Sequence, residues 1–168
     1  SQATQLDFVR AVGSLESVTP AINYDPDTKA LHVGESVLRH QTIGITTMRD
    51  RRDPSEYRYW RLPEYVSPPL TDPDRSYYIY ARAARVGTEG AFLLSEEPIP
   101  MESDPDYYHL LIGTLSSVDG GDRAYNRLYG YSMLTPGALT VGAIEDASGN
   151  MRIDLETGQI LVKHLRIG

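Results

Sequence analysis

SYYIYARAA, residues 76–84, is the stretch that decides the fold class. Successive side chains of a β-strand turn to opposite faces, so Tyr77, Ile79, Ala81 and Ala83 share one face and Tyr78, Tyr80 and Arg82 the other. The small apolar set suits a core. The Tyr-Tyr-Arg set suits a surface or an interface.

Outward from this stretch the same signal recurs. In YYHLLIGTL, residues 107–115, apolar residues occupy both faces from Leu110 to Ile112, which predicts a central strand covered on both sides. Elsewhere short apolar or alternating runs are separated by Gly, Pro and Asp about every 8–15 residues, the pattern of an all-β sandwich or barrel. Strands are expected near 20–24, 29–33, 37–46, 57–62, 76–84, 90–95, 107–116, 124–133 and 138–144. A terminal pair follows in RIDLETGQILVKHLRIG, residues 152–168. There Ile153 and Leu155 alternate, a Glu-Thr-Gly turn intervenes, and Ile160 and Val162 alternate again. The alternation slips at Lys163-His164, which predicts a bulge or bend. One short helix is expected in TQLDFVRAVGSLE, residues 4–16, with Leu6 and Val9 on a shared face.

The expected architecture is all-β: an antiparallel, jelly-roll-like β-sandwich with flanking N- and C-terminal extended segments. Residues 1–48 lead into the sandwich, 49–144 form it, and 145–168 make a C-terminal hairpin and connector.

The chain has 168 residues, enough for one sizeable core. No run approaches the roughly 18 apolar residues of a membrane span, and no basic-then-apolar start reads as a signal peptide. The opening SQATQLDF, without Met, is that expected of an excised piece or a processed product. With no cysteine, disulfides, thiolate metal sites and a Cys nucleophile are excluded. A net charge of −7 argues against nucleic-acid binding, which depends on neutralising phosphates. Twelve Tyr stand against two Phe and one Trp, a balance that suits β-surfaces, subunit interfaces and sugar-contacting faces.

Few residues point to catalysis. His32, His40, His109 and His164 are widely spaced and lack metal-site spacing, and His109 in its apolar strand reads as a structural, hydrogen-bonded histidine. Glu96 and Glu97 are adjacent, so on one strand they face opposite ways and form no glycosidase pair unless the strand is broken there, as Pro98 would break it; otherwise they make a charged strand end. Asp-Pro-Asp occurs at 25–27, 72–74 and 104–106, each time before an expected strand; proline and a capping Asp make these turns, with calcium binding the sharper alternative. SSVDGGDRAY, residues 116–125, reads as a hairpin connection whose glycines supply positive φ.

MRDRRDPSEYRYWRLPEY, residues 48–65, has the most distinctive local composition, with arginines interleaved among aromatics. Alternation sets Tyr57, Tyr59 and Arg61 on one side and Arg58 and Trp60 on the other. Aromatic rings stack on the apolar faces of sugars while Arg holds hydroxyls, so Tyr57, Tyr59, Trp60 and Arg61 are candidate glycan contacts. Tyr78, Tyr80 and Arg82 are a second set. The opposing reading is that the single Trp is core.

Taken in order, AINYDPDTKALHVGESVLRHQTIGI (21–45), YYIYARAARVGTEGAFLLS (77–95), the run from Tyr107 to Ile144 and GNMRIDLETGQI (149–160) resemble the distal tail or tail-fibre proteins of bacteriophages and prophages, particularly those of gut Bacteroidales. The resemblance covers most of the chain. It implies a non-enzymatic virion protein without cofactor or metal, which assembles as a homo-oligomer, commonly a trimer, with other tail proteins and contacts host-surface glycans. It further implies that Leu139–Ile160 leads into a shared β-rich segment, making Ile153, Leu155, Ile160 and Val162 candidate oligomer contacts. A free-standing carbohydrate-binding module is the alternative.

Overall fold

The computed structural model describes residues 6–41, 43 and 57–129, together with the backbone of strands at 143–145, 151–154 and 159–162. Every regular element among them is a strand, and every strand pairing is antiparallel. No helix of the described residues is long and apolar enough to cross a membrane. The fold is all-β and sandwich-like. Two compact units, 1–131 and 132–168, divide the chain.

Three sheets build the first unit. In the first, β1 (Leu6–Val9) and β5 (Arg58–Leu62) flank β4 (Ser36–His40). In the second, β2 (Ile22–Asp25), β3 (Ala30–Val33) and β6 (Tyr65–Val66) lie in that order. The third has the order β10 (Tyr125–Arg127), β9 (Tyr107–Leu115), β7 (Tyr77–Ala84), β8 (Gly90–Ser95). Segment 1–48 therefore supplies four strands of the same unit as β5–β10.

The helix expected at residues 4–16 is a strand followed by turns. Leu6 and Phe8 are buried while Asp7 between them is half-exposed, which is strand alternation. Gly13 sits in a turn at φ +83, outside any helical conformation. Register with β4 explains why pairing prevails: Phe8 meets Leu38 and through it Trp60, so a strand delivers an apolar row to the core.

The decisive stretch behaves as its alternation requires. Tyr77, Ile79, Ala81 and Ala83 are all buried, joining Phe8, Leu38, Trp60, Leu62 and Phe92 in one apolar cluster between the first and third sheets. Phe8 contacts Phe92 with ring centroids 6.1 Å apart and Tyr129 at 4.9 Å. The central placement of β9 also holds, with Leu110 and Ile112 fully buried. A bulge at Ile112 shifts the register: Tyr80 pairs with Leu111 but Ile79 with Gly113. Inward positions thus change from even to odd along β9, and both Leu110 and Leu115 reach the core. At Gly113 a Cβ would lie 2.5 Å from the Tyr125 ring and 2.7 Å from the Asn126 carbonyl oxygen, so only glycine lets β10 close against β9 here.

The three Asp-Pro-Asp motifs are Asx turns. In each, the first Asp accepts from the backbone N–H of the third residue: Asp27 to Asp25 at 2.9 Å, Asp74 to Asp72 at 3.0 Å and Asp106 to Asp104 at 2.7 Å. The Asp27 amide, aided by that of Thr28, holds the Asp25 carboxyl below its ordinary value. Between Asp119 and Asp122, Gly120 and Gly121 adopt φ of +61 and +82, the two positive values that a type I′ hairpin turn needs.

The second unit contains one sheet, in which β12 (Met151–Asp154) lies between β11 (Ala143–Glu145) and β13 (Gln159–Val162). The expected terminal hairpin is the β12–β13 pair. Leu155 and the predicted slip at 163–164 fall outside the described residues.

Candidate functional site

The candidate glycan residues separate into two groups on different faces. On β5 the register sets Tyr59 opposite Arg39 and Trp60 opposite Leu38, so Trp60 enters the core. It is 0% exposed, its Nε1 donates to the Ala84 carbonyl at 2.8 Å, and the Arg58 guanidinium stacks 4.9 Å from its ring centroid. Arg58 also donates to the carbonyls of Arg85 (3.1 Å) and Gly87 (3.2 Å). The pair clamps the β7–β8 hairpin to β5. Trp60 is thus a core residue and no part of an open shelf, because burying an indole yields more than exposing it and its N–H finds a partner inside.

Tyr59 is also buried, at 8% exposure, and only Arg61 of this group is exposed, with Tyr57 half-exposed. Arg39, on the same face as Tyr59, lies 3.7 Å from the Asp7 carboxylate and 5.7 Å from the Tyr57 ring centroid. The face carrying Tyr59 and Arg61 is opposite to that carrying Trp60, so the four residues form no single platform.

The second group lies on the outer face of the third sheet. Tyr78 and Arg82 are half-exposed, while Tyr80 is 3% exposed. Tyr78 and Tyr80 have ring centroids 6.5 Å apart, and Arg82 stacks over Tyr107 at 4.4 Å. Register brings Arg82 beside His109. Sequence reading missed Tyr107 and His109 as members of this face, because their membership follows from β7–β9 pairing across a long connection. The shared parity of Tyr107 and His109 in one strand was the available signal.

Burial holds the His109 imidazole below the usual histidine range, with the Asp104 carboxylate opposing and Arg82 reinforcing that shift. The side chain is only 7% exposed and its Nδ1 has no hydrogen-bond partner. The side-chain hydrogen bond expected of a structural histidine is therefore not made at Nδ1; it is the backbone N–H that donates, to Met101.

Of the carboxylates considered for hydrolysis, Glu96 lies 3.6 Å from Arg75, and Glu97 sits at the end of β8, where its backbone exchanges hydrogen bonds with Ser95 Oγ. Among the described residues no group of three or more His, Asp or Glu side chains is placed to hold a metal ion.

A residue not singled out from sequence, Arg123, ties several elements of the unit together. It is 5% exposed and donates to the carbonyls of Asp72 (2.7 Å), Ser116 (3.0 Å) and Arg75. Its guanidinium also lies 5.6 Å from the Tyr24 ring centroid and 5.4 Å from that of Tyr77. It therefore joins the second sheet, the third sheet and both flanking loops.

In the second unit, Ile144, Ile153 and Ile160 are cross-strand partners in one row, and Met151 pairs with Val162 two positions along. Period-2 alternation places these five on one face, with Ala143, Glu145, Arg152, Asp154, Gln159 and Leu161 on the other. Of the candidate oligomer contacts, Ile153, Ile160 and Val162 fall on this apolar face.

No family model, curated protein or solved structure matches the chain.

Proposed function

We propose that the chain is a structural module of a phage tail or tail fibre, located in the virion, which works by assembling with copies of itself and with other tail proteins. The observation that carries this reading is the cross-strand row Ile144–Ile153–Ile160 with Met151 and Val162 beside it. A sheet with one apolar face needs a second layer to cover that face. Copies of the chain carry identical rows and so meet that need symmetrically.

Light scattering of the purified chain over a concentration series tests the proposal, with a trimer as the expected result. Replacing Ile160 and Val162 together by Asp is expected to yield monomers whose first unit keeps its unfolding midpoint. A wild-type monomer at all concentrations, or loss of all folded structure in the double variant, would refute assembly through this face.

The outer face of the third sheet favours a second reading, a carbohydrate-binding module, because Tyr78 and the Arg82–Tyr107 stack are half-exposed there. In that case Tyr107→Ala is expected to weaken retention on immobilised bacterial surface polysaccharide about tenfold, on the scale of roughly 1.4 kcal/mol for one aromatic contact. Unaltered retention of the variant rejects it.

A further inference from the structure

The connection from β8 to β9, residues 96–106, crosses the outer face of the third sheet instead of turning tightly. It leaves β8 after Ser95, passes Tyr80 on β7 and reaches the far edge of β9 at His109 before returning to Tyr107. Four hydrogen bonds and the 3.6 Å ion pair of Glu96 with Arg75 hold it down. The Ile99 N–H donates to the Tyr80 hydroxyl at 2.8 Å, the His109 N–H to the Met101 carbonyl at 3.0 Å, Arg85 Nη2 to the Glu102 carbonyl at 3.1 Å and the Arg85 N–H to the Asp106 carbonyl at 2.9 Å. Few apolar contacts add to these: Ile99 and Met101 are part-buried, with Met101 packed against the core, while apart from Asp104 the rest of the strap is exposed. Such a segment belongs to the low-stability end of local opening.

The His109 ring is buried beside this strap, edge-on to Tyr80 with centroids 6.1 Å apart at 83°. We propose that residues 96–106 form an acid-sensitive cover, closed over Tyr80 and His109 while the imidazole is neutral and released when it is protonated. This goes beyond the assembly reading and does not depend on it.

The physical case rests on what the imidazolium would meet. Protonation makes both ring nitrogens donors, and Nδ1 has no acceptor within reach. Arg82, in register beside His109 on β7, adds a like charge, while Asp104 on the strap supplies the one opposing carboxylate. Tyr80 faces the ring edge-on, and Tyr107, two residues along β9 on the same face, stacks with Arg82. The β8 residues paired with this part of β7, Ala91 and Leu93, are uncharged, and β10 pairs only with Gly113–Leu115.

The sign follows from linkage. A histidine whose value is lower with the strap closed than open binds fewer protons when closed. Closure is then complete above the open-state value of about 6.5 and weakens as pH falls from there towards the closed-state value.

Hydrogen exchange of the Ile99 and His109 amides, followed by NMR on the full chain from about pH 8 to about pH 5, tests this. Protection corrected for intrinsic exchange is expected to fall at least fivefold as the pH drops. In His109→Gln, neutral throughout, that loss disappears. Asp104→Asn keeps the Asx acceptor but removes the charge that favours the imidazolium in the closed state, and is expected to deepen the loss of protection at the acid end of the range. Protection that is independent of pH, the same loss in His109→Gln, or a loss in Asp104→Asn no deeper than in wild type overturns the proposal. Should His109→Gln fail to fold, the depth of the protection loss in Asp104→Asn decides alone.

Discussion

Trp60→Ala is expected to destabilise the first unit by about 3–5 kcal/mol, the range for emptying a buried aromatic site. The indole is fully buried between the first and third sheets, and its loss also leaves the Ala84 carbonyl without the Nε1 donor and Arg58 without the ring it stacks on. Urea denaturation followed by far-ultraviolet dichroism measures the effect, since the variant lacks the only Trp. Trp60→Phe separates the contributions, retaining most of the packing while removing the hydrogen bond, and is expected to fall between wild type and Trp60→Ala. An unchanged midpoint in Trp60→Ala would mean that the indole is not part of the core.

The second large effect is expected at Arg123. Arg123→Met keeps much of the side-chain volume but withdraws the donors from the carbonyls of Asp72, Arg75 and Ser116, and should cost about 2–4 kcal/mol, given about 1.5–3 for a hydrogen bond to a charged group and strong non-additivity within one cluster. Arg123→Lys is expected to recover little, because an ammonium cannot reproduce the planar fork that reaches carbonyls on both flanking loops. Amide exchange should show the loss concentrated in Asp72–Arg75 and Ser116–Ala124. Full stability in Arg123→Lys would show that charge alone suffices and that the fork geometry is immaterial.

These two residues illustrate unequal legibility. Trp60 lies in a strand recognisable from its alternation, yet alternation assigns residues to two faces without saying which face is covered. That choice came from β4, whose Leu38 sits opposite Trp60 and whose other neighbour carries Phe8. Arg123 was hidden more deeply. In sequence it belongs to a Gly-Gly-Asp-Arg stretch that reads only as a hairpin connection; its burial depends on carbonyls 48 and 51 positions away. The opening segment was misread for a related reason. Leu6 and Val9 have helical spacing, but the energy of pairing Phe8 with Leu38 belongs to a partner strand about thirty residues away and leaves no local trace.

The bulge at Ile112 shows the same limit within a correctly read strand. Apolar residues on both faces identified β9 as central, but the change of parity that buries Leu110 and Leu115 together arises from the mismatch with β7. Of the second candidate site, the Tyr78-Tyr80-Arg82 alignment was legible, whereas its neighbours Tyr107 and His109 were supplied by pairing.

By itself the sequence determined the all-β class, the core face of residues 77–83, the Asx turns at the three Asp-Pro-Asp motifs, the glycine hairpin at 120–121 and the terminal strand pair. All of these depend on period-2 alternation or on turn chemistry spanning a few residues. Tertiary structure alone decided that Trp60 is buried, that Arg123 joins the sheets and that a strap crosses Tyr80 and His109. Each of these arises where segments far apart in the chain meet, and burial and hydrogen-bond satisfaction are properties of that meeting rather than of any local stretch.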